Sequence, residues 1–274
     1  MNARTVAARA AALLEANSIP DSRLEAEVLT RYAASLDRAT FFAGAEIDGD
    51  RTALLDALIA RRAAGEPAAY ITGEREFYGL AFAVGPGVLV PRPETELLVD
   101  TALDCLRDHP DCLVADIGTG SGCVALAVAA HAPGARVVAV ESSTEALAWA
   151  RMNAARHRGT ITLIRGDLAE PLARADVVLA NLPYIPAGDI HRLQREIRDF
   201  EPRSSLDGGP DGLDLIRRLV SDCGRRLRPS LLALEVGIGQ ARTVARLARD
   251  AGATDITVVA DLAGIDRVVC ARWA

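Results

Sequence analysis

From about residue 93 onward, short runs rich in Val, Ile and Leu alternate with stretches of helical spacing, and this leaves few folds open. The spacing predicts helix 94–108, strand 112–117, helix 122–131, strand 135–140, helix 143–157 and strand 160–165. Strand 176–180 leads into a long Gly/Pro-rich loop, then helix 212–226, strand 230–236, helix 239–250 and strands 255–260 and 266–271. Short strands without polar alternation are buried on both faces. The fold class is therefore α/β, a mostly parallel sheet covered by helices on both sides. Ligands of such sheets bind at the carboxyl ends of the strands.

Two strand ends carry unusual residues. The first runs into Gly118-Thr119-Gly120-Ser121-Gly122, a turn whose backbone can approach a ligand and whose following helix offers free N–H groups. Cys123 stands where the dinucleotide fingerprint needs its third glycine, so the turn is not that fingerprint. Asp116, just before the turn, would repel a pyrophosphate but suits the ammonium of a methionine moiety, which favours S-adenosylmethionine over NAD. Glu141 ends the next strand, where a carboxylate can accept from both ribose hydroxyls. Asp167 and Leu168 follow the third strand, placed to accept an adenine NH2 and to pack on the ring. Taken alone, the glycine run also fits a plain strand-to-helix turn with an acidic cap, and Asp167 a solvated turn.

The second unusual end is Asn181-Leu182-Pro183-Tyr184, directly after the run Asp176–Ala180. Its chemistry suits a planar NH2 group. The Asn181 oxygen and the Leu182 carbonyl can accept two hydrogens, while the Tyr184 ring covers the face. Such a nitrogen is a poor nucleophile because its lone pair is delocalised. Accepting both N–H bonds favours a pyramidal nitrogen aimed at a methyl donor, and stabilises charge growing on it. An isolated tetrad of this kind is also a turn with a packing tyrosine. Following this strand, and downstream of the glycine turn, it reads as an acceptor for methyl transfer.

Before this region, helices are predicted over 2–17, 22–35 and 50–64, with Asp21 as an N-cap. A β-rich connector follows, in which Tyr70–Gly73, Glu76–Val84 and Val88–Val90 are expected to be extended. The Ala-rich amino terminus reads as a folded helix, with Val6, Ala10, Leu13 and Leu14 on one face, rather than as a targeting peptide. With 31 basic residues, all Arg, against 37 acidic ones, the chain lacks the basic stripe of a nucleic-acid binder. Cys105, Cys112, Cys123, Cys223 and Cys270 form no Cys-x-x-Cys pair, pointing to free thiols in a cytoplasmic setting. The four histidines show no ligand spacing, so no metal is expected. No apolar run reaches the roughly 18–20 residues that span a bilayer.

The chain resembles the release-factor glutamine methyltransferases. The likeness is carried by Tyr70–Gly79, Val90-Pro91-Arg92-Pro93-Glu94-Thr95-Glu96, Asp116–Cys123 and the tetrad. It continues through Phe200–Arg203, Asp207–Leu213, Leu234-Glu235-Val236-Gly237 and Asp261–Arg267. It runs from about residue 67 to the end, with only helical likeness before. The resemblance implies a Rossmann-like methyltransferase sheet over 92–274, a helical substrate-binding domain over 1–68 and a β-hairpin connector over 69–91. It also implies methyl transfer from S-adenosylmethionine to the Gln side-chain amide in the Gly-Gly-Gln loop of peptide-chain release factors. Asn181 and the Leu182 carbonyl would hold that amide, with Pro183 and Tyr184 completing the slot. Two residues depart from the family pattern: Leu182 stands where Pro is usual, and Glu141 where Asp is usual. Competing readings are an adenine amino-group methyltransferase acting on DNA or RNA, and a binding module that has lost activity through Leu182.

Overall fold

The computed structural model describes residues 1–157 and 160–273. They group into two compact units, Met1–Glu74 with Gln194–Phe200, and Arg75–Leu193 with Glu201–Ala274.

The first unit opens with helices α1 (Ala3–Ala16), α2 (Ser22–Ala34), α3 (Arg38–Phe42), α4 (Gly49–Ala63) and α5 (Ala68–Thr72). Asn2 and Asp48 cap α1 and α4 by accepting from backbone N–H groups of the first turn. The apolar faces meet in one cluster that includes Leu14, Leu29, Phe41 and Leu55. Arg62 in α4 is only 1% exposed, and its guanidinium is matched by Glu25 and Glu196. A buried cation without such partners would cost several kcal/mol.

Strands β1 (Glu74–Phe77) and β2 (Leu80–Ala83) form a two-stranded sheet. Tyr78 and Gly79 between them both have positive φ, the backbone that a two-residue hairpin turn demands. The alternating region then runs α6 (Glu96–Asp108), β3 (Leu113–Ile117), α7 (Cys123–His131), β4 (Arg136–Glu141), α8 (Thr144–His157), β5 (Ile161–Arg165) and β6 (Val177–Ala180). Helix α9 (Arg195–Phe200) belongs to the first unit. The chain finishes with α10 (Asp214–Asp222), β7 (Leu231–Glu235), α11 (Ala241–Asp250), β8 (Asp255–Ala260) and β9 (Asp266–Arg272).

The large sheet has the order β5-β4-β3-β6-β7-β9-β8. Strands β3 to β7 are parallel, whereas β9 runs antiparallel to both β7 and β8. Leu98, Val99 and Val124 pack with Val114 and Leu179 on one face; Ile216, Leu219 and Val244 pack with Val178 and Leu232 on the other. From β3 the chain moves outward one way through β4 and β5, then returns to place β6 and β7 on the opposite side. The switch point therefore lies between β3 and β6, where a crevice opens in such folds. Register puts Ile117 beside both Val140 and Ala180, and Ala180 beside Leu234. The residues just beyond these four form one row.

Three local expectations are corrected, and a fourth holds in position only. Tyr70–Thr72 lies in α5, not in an extended segment, and Gly73 caps that helix with φ 74°. Glu76–Val84 is not one strand, because the Tyr78-Gly79 turn splits it. Val88–Val90 carries no strand. Asp21 sits at the N-cap position of α2, but its φ of 49° makes no side-chain cap bond. In the first three, the apolar side chains are buried in other backbone conformations, which outweighs their β propensity.

Candidate active site

The carboxyl ends of β3 to β6 surround one cleft of about 1050 Å³, its open mouth included. Gly118, Gly120 and Gly122 all have positive φ, and a Cβ on Gly118 would stand 3.1 Å from the Leu182 side chain. The Gly118 and Thr119 N–H groups both donate to Val140 O, which ties the turn to β4.

Asp116 lies beneath the turn, accepting through Oδ2 from Thr119 Oγ1 at 2.6 Å and from the Ala125 N–H at 3.1 Å. Burial pushes its carboxyl up to about 6 despite those bonds. Glu141 accepts through Oε2 from the Gly120 N–H at 2.9 Å, and through Oε1 from the Ser143 N–H at 2.9 Å and the Ser142 hydroxyl at 3.5 Å. Oε2 accepts only the one bond and keeps a second lone pair. Asp167 accepts from Arg218 Nη2 at 2.6 Å across an exposed pair. Leu168 is buried with φ 48°, a backbone region that non-glycine residues seldom adopt. Asp116, Glu141, Asp167, Leu168, Asn181, Leu182 and Pro183 all line the cleft, together with Gly118–Ser121. Gly122 and Tyr184 are not among its lining residues.

The tetrad is held from two sides. Gln240 Nε2 donates to Tyr184 O at 2.8 Å, while the Ile185 N–H donates to Leu206 O and the Gly208 N–H to Ile185 O. The Asp207–Leu213 segment must be rich in glycine to come this close. A Cβ on Gly208 would stand 2.6 Å from Pro183 O, and one on Gly212 2.2 Å from Tyr184 O. Leu182 is 3% exposed, so the side chain in place of the usual Pro fills space against the glycine turn.

Residues that sequence reasoning did not place in the site complete it. Asn181 Nδ2 donates to Thr95 Oγ1 at 3.0 Å, and Thr95 Oγ1 donates to Glu235 Oε2 at 2.6 Å. Tyr184 Oη donates to the other Glu235 oxygen at 3.4 Å. Burial pushes Glu235 up to about 7 and holds the Tyr184 phenol well above its ordinary range. Glu235 is the one polar residue of Leu231–Glu235 and ends the strand beside β6. That is the same signal that singled out Asp116 and Glu141.

A parallel sheet with β9 inserted antiparallel between β7 and β8, and a glycine turn and acidic residues at its switch point, is the architecture of a methyltransferase, and the relatives bear this out. Residues 94–197 match the family profile described as methyltransferase small domain, and residues 5–73 match the PrmC N-terminal domain. The release factor glutamine methyltransferase of Geobacter sulfurreducens is 44% identical over 264 residues, 94% of this chain and 92% of that protein. The one of Moorella thermoacetica is 42% identical over 275 residues, 97% of each. The catalytic domain of hMettl16, solved with the MAT2A 3′UTR hairpin 6, superposes with a TM-score of 0.58 at 16% identity. It covers 79% of this chain and 82% of its own, and shares the fold. The chain belongs to the release factor glutamine methyltransferase family. Among the described residues, no helix is long and apolar enough to cross a membrane.

Proposed function

We propose that this chain transfers a methyl group from S-adenosylmethionine to the side-chain amide nitrogen of the Gln in the Gly-Gly-Gln loop of peptide-chain release factors, in the cytoplasm. The observation that carries the reading is the Asn181 amide. Its NH2 is committed to Thr95, which leaves its oxygen for the cleft.

The cleft residues fit the cofactor. Ser121 Oγ is buried beside the Cys123 thiol with no N or O partner, and Asp116 Oδ1 is free of the two bonds that Oδ2 accepts. Asp116 would take the ammonium, Glu141 the ribose hydroxyls, Asp167 the adenine NH2 and Leu168 the ring, with Gly118–Gly122 giving backbone access. When bound, S-adenosylmethionine supplies an electrophilic methyl on a sulfonium. Asn181 Oδ1 and the Leu182 carbonyl accept the two amide hydrogens and turn the nitrogen lone pair toward that methyl. Pro183 keeps Leu182 extended, so the carbonyl stays aimed. Tyr184 anchors the tetrad through Glu235. Residues 1–68 are read as the part that grips the protein substrate, 69–91 as connector and 92–274 as the part that carries the chemistry.

A pH dependence follows from Asp116. Its carboxyl titrates at about 6, so it is ionised above that pH and neutral below it. An ammonium is attracted only by the ionised form. Cofactor affinity is expected to fall about tenfold from pH 7.5 to pH 5, and to stay flat in Asp116→Asn. Calorimetry across that range measures it, and a flat wild-type profile contradicts the assignment.

The function is tested by offering release factor, DNA and rRNA side by side with labelled S-adenosylmethionine. Label is expected in release factor alone. Label in nucleic acid would favour adenine as the acceptor, and label nowhere, with cofactor still bound, an inactive binding module.

A further inference from the structure

The Asn181 side chain can face the cleft in two ways, and only one of them presents an acceptor. Thr95 decides between them. Its single hydroxyl proton goes to Glu235 Oε2 at 2.6 Å, so toward Asn181 at 3.0 Å its oxygen can only accept. Asn181 must therefore turn its NH2 to Thr95 and its Oδ1 the other way. Thr95 is 3% exposed and Glu235 2%, so bulk water does not compete for these bonds. The polarity of the chain is set at its far end, where an ionised Glu235 only accepts, from Thr95 and from Tyr184 at 3.4 Å.

We infer that Thr95 and Glu235 are positioning residues that fix the Asn181 amide with its oxygen toward the substrate nitrogen. A proton on Glu235 undoes this. The acid then offers Thr95 a hydrogen, Thr95 can donate to Asn181, and the flipped amide presents an NH2 where an acceptor is needed. The charged groups acting on Glu235 are Glu94, which favours the proton, and Arg267, which opposes it; Thr95 and Tyr184 oppose it by donating. Arg92 and Arg267 in turn act on Tyr184. The balance leaves the carboxyl at about 7, inside the working range of pH.

The inference rests on the function proposed above, and the test separates the two. In Thr95→Val, which keeps the shape and removes the hydroxyl, kcat on release factor is expected to fall roughly 10- to 30-fold. KM and cofactor affinity should change less than about twofold, because the lost bond orients a group rather than binding a ligand. Thr95→Ser should restore most of the rate. Adding Thr95→Val to Asn181→Ala should cost nothing further, since Thr95 acts only through Asn181. The unaltered protein gives a reading that needs no variant. At saturating cofactor, kcat should fall on acidification with an apparent pKa near 7, and this limb should vanish in Thr95→Val. Wild-type kcat in Thr95→Val, full additivity with Asn181→Ala, or a kcat flat between pH 6 and 8 would each overturn the inference. Failure of the underlying reading looks different: the parent protein then puts no methyl on the release factor Gln at all.

Discussion

Asn181→Ala is expected to lower kcat about 30- to 1000-fold, roughly 2–4 kcal/mol of transition-state stabilisation, the range for one preorganised polar contact in a dry site. The loss should fall on kcat rather than on cofactor affinity. Asn181 lines the cleft at the end of β6, whereas Asp116 and Glu141 lie at the ends of β3 and β4. The variant should also fold. Asn181 spans no core cluster, and its one side-chain bond is the donation to Thr95, whose oxygen keeps its own bond to Glu235. Single-turnover kinetics with calorimetry on the same preparation separate the two effects. Near-normal turnover would remove Asn181 from the acceptor slot.

The second large effect concerns the substrate. Replacing the Gln by Glu should abolish methylation, with discrimination on the order of 10⁴-fold. A carboxylate has no hydrogens for Asn181 Oδ1 and the Leu182 carbonyl. Its charge would also enter a site where Glu235 and Asp116 are already carboxylates under pressure from burial. Buried acceptors left facing acceptors make the penalty large. Asn should fail for a separate reason, since its side chain is one methylene too short to reach a methyl fixed by the glycine turn.

How much of this was legible in the sequence depended on how local the cause was. The parallel sheet followed from strand and helix periods, and the site from two motifs at strand ends. Topology then brought Ile117 and Ala180 side by side. The helix over Ala68–Thr72 was not legible, because Tyr70-Ile71-Thr72 has the composition of a strand and only Gly73, in its left-handed cap, marks a helix end. Helix α9 was hidden in a loop read as irregular. It belongs to the first unit, where its Glu196 meets Arg62, 134 positions earlier. Thr95 and Glu235 escaped for the same reason. Thr95 reads as one polar residue at a helix start and Glu235 as a strand-end acid. Their hydrogen bond spans 140 positions. Asn181 was found from its own tetrad, but the direction its amide faces is set by that distant pair.

The most direct test of the central claim is mass mapping of release factor after incubation with labelled S-adenosylmethionine, using factors that carry Gln, Asn or Glu in the Gly-Gly-Gln loop. The expected result is a single added methyl on the Gln side chain and none on the Asn or Glu factors. Equal label in all three, or a methyl mapped to another residue, would contradict an amide slot built from Asn181 and the Leu182 carbonyl.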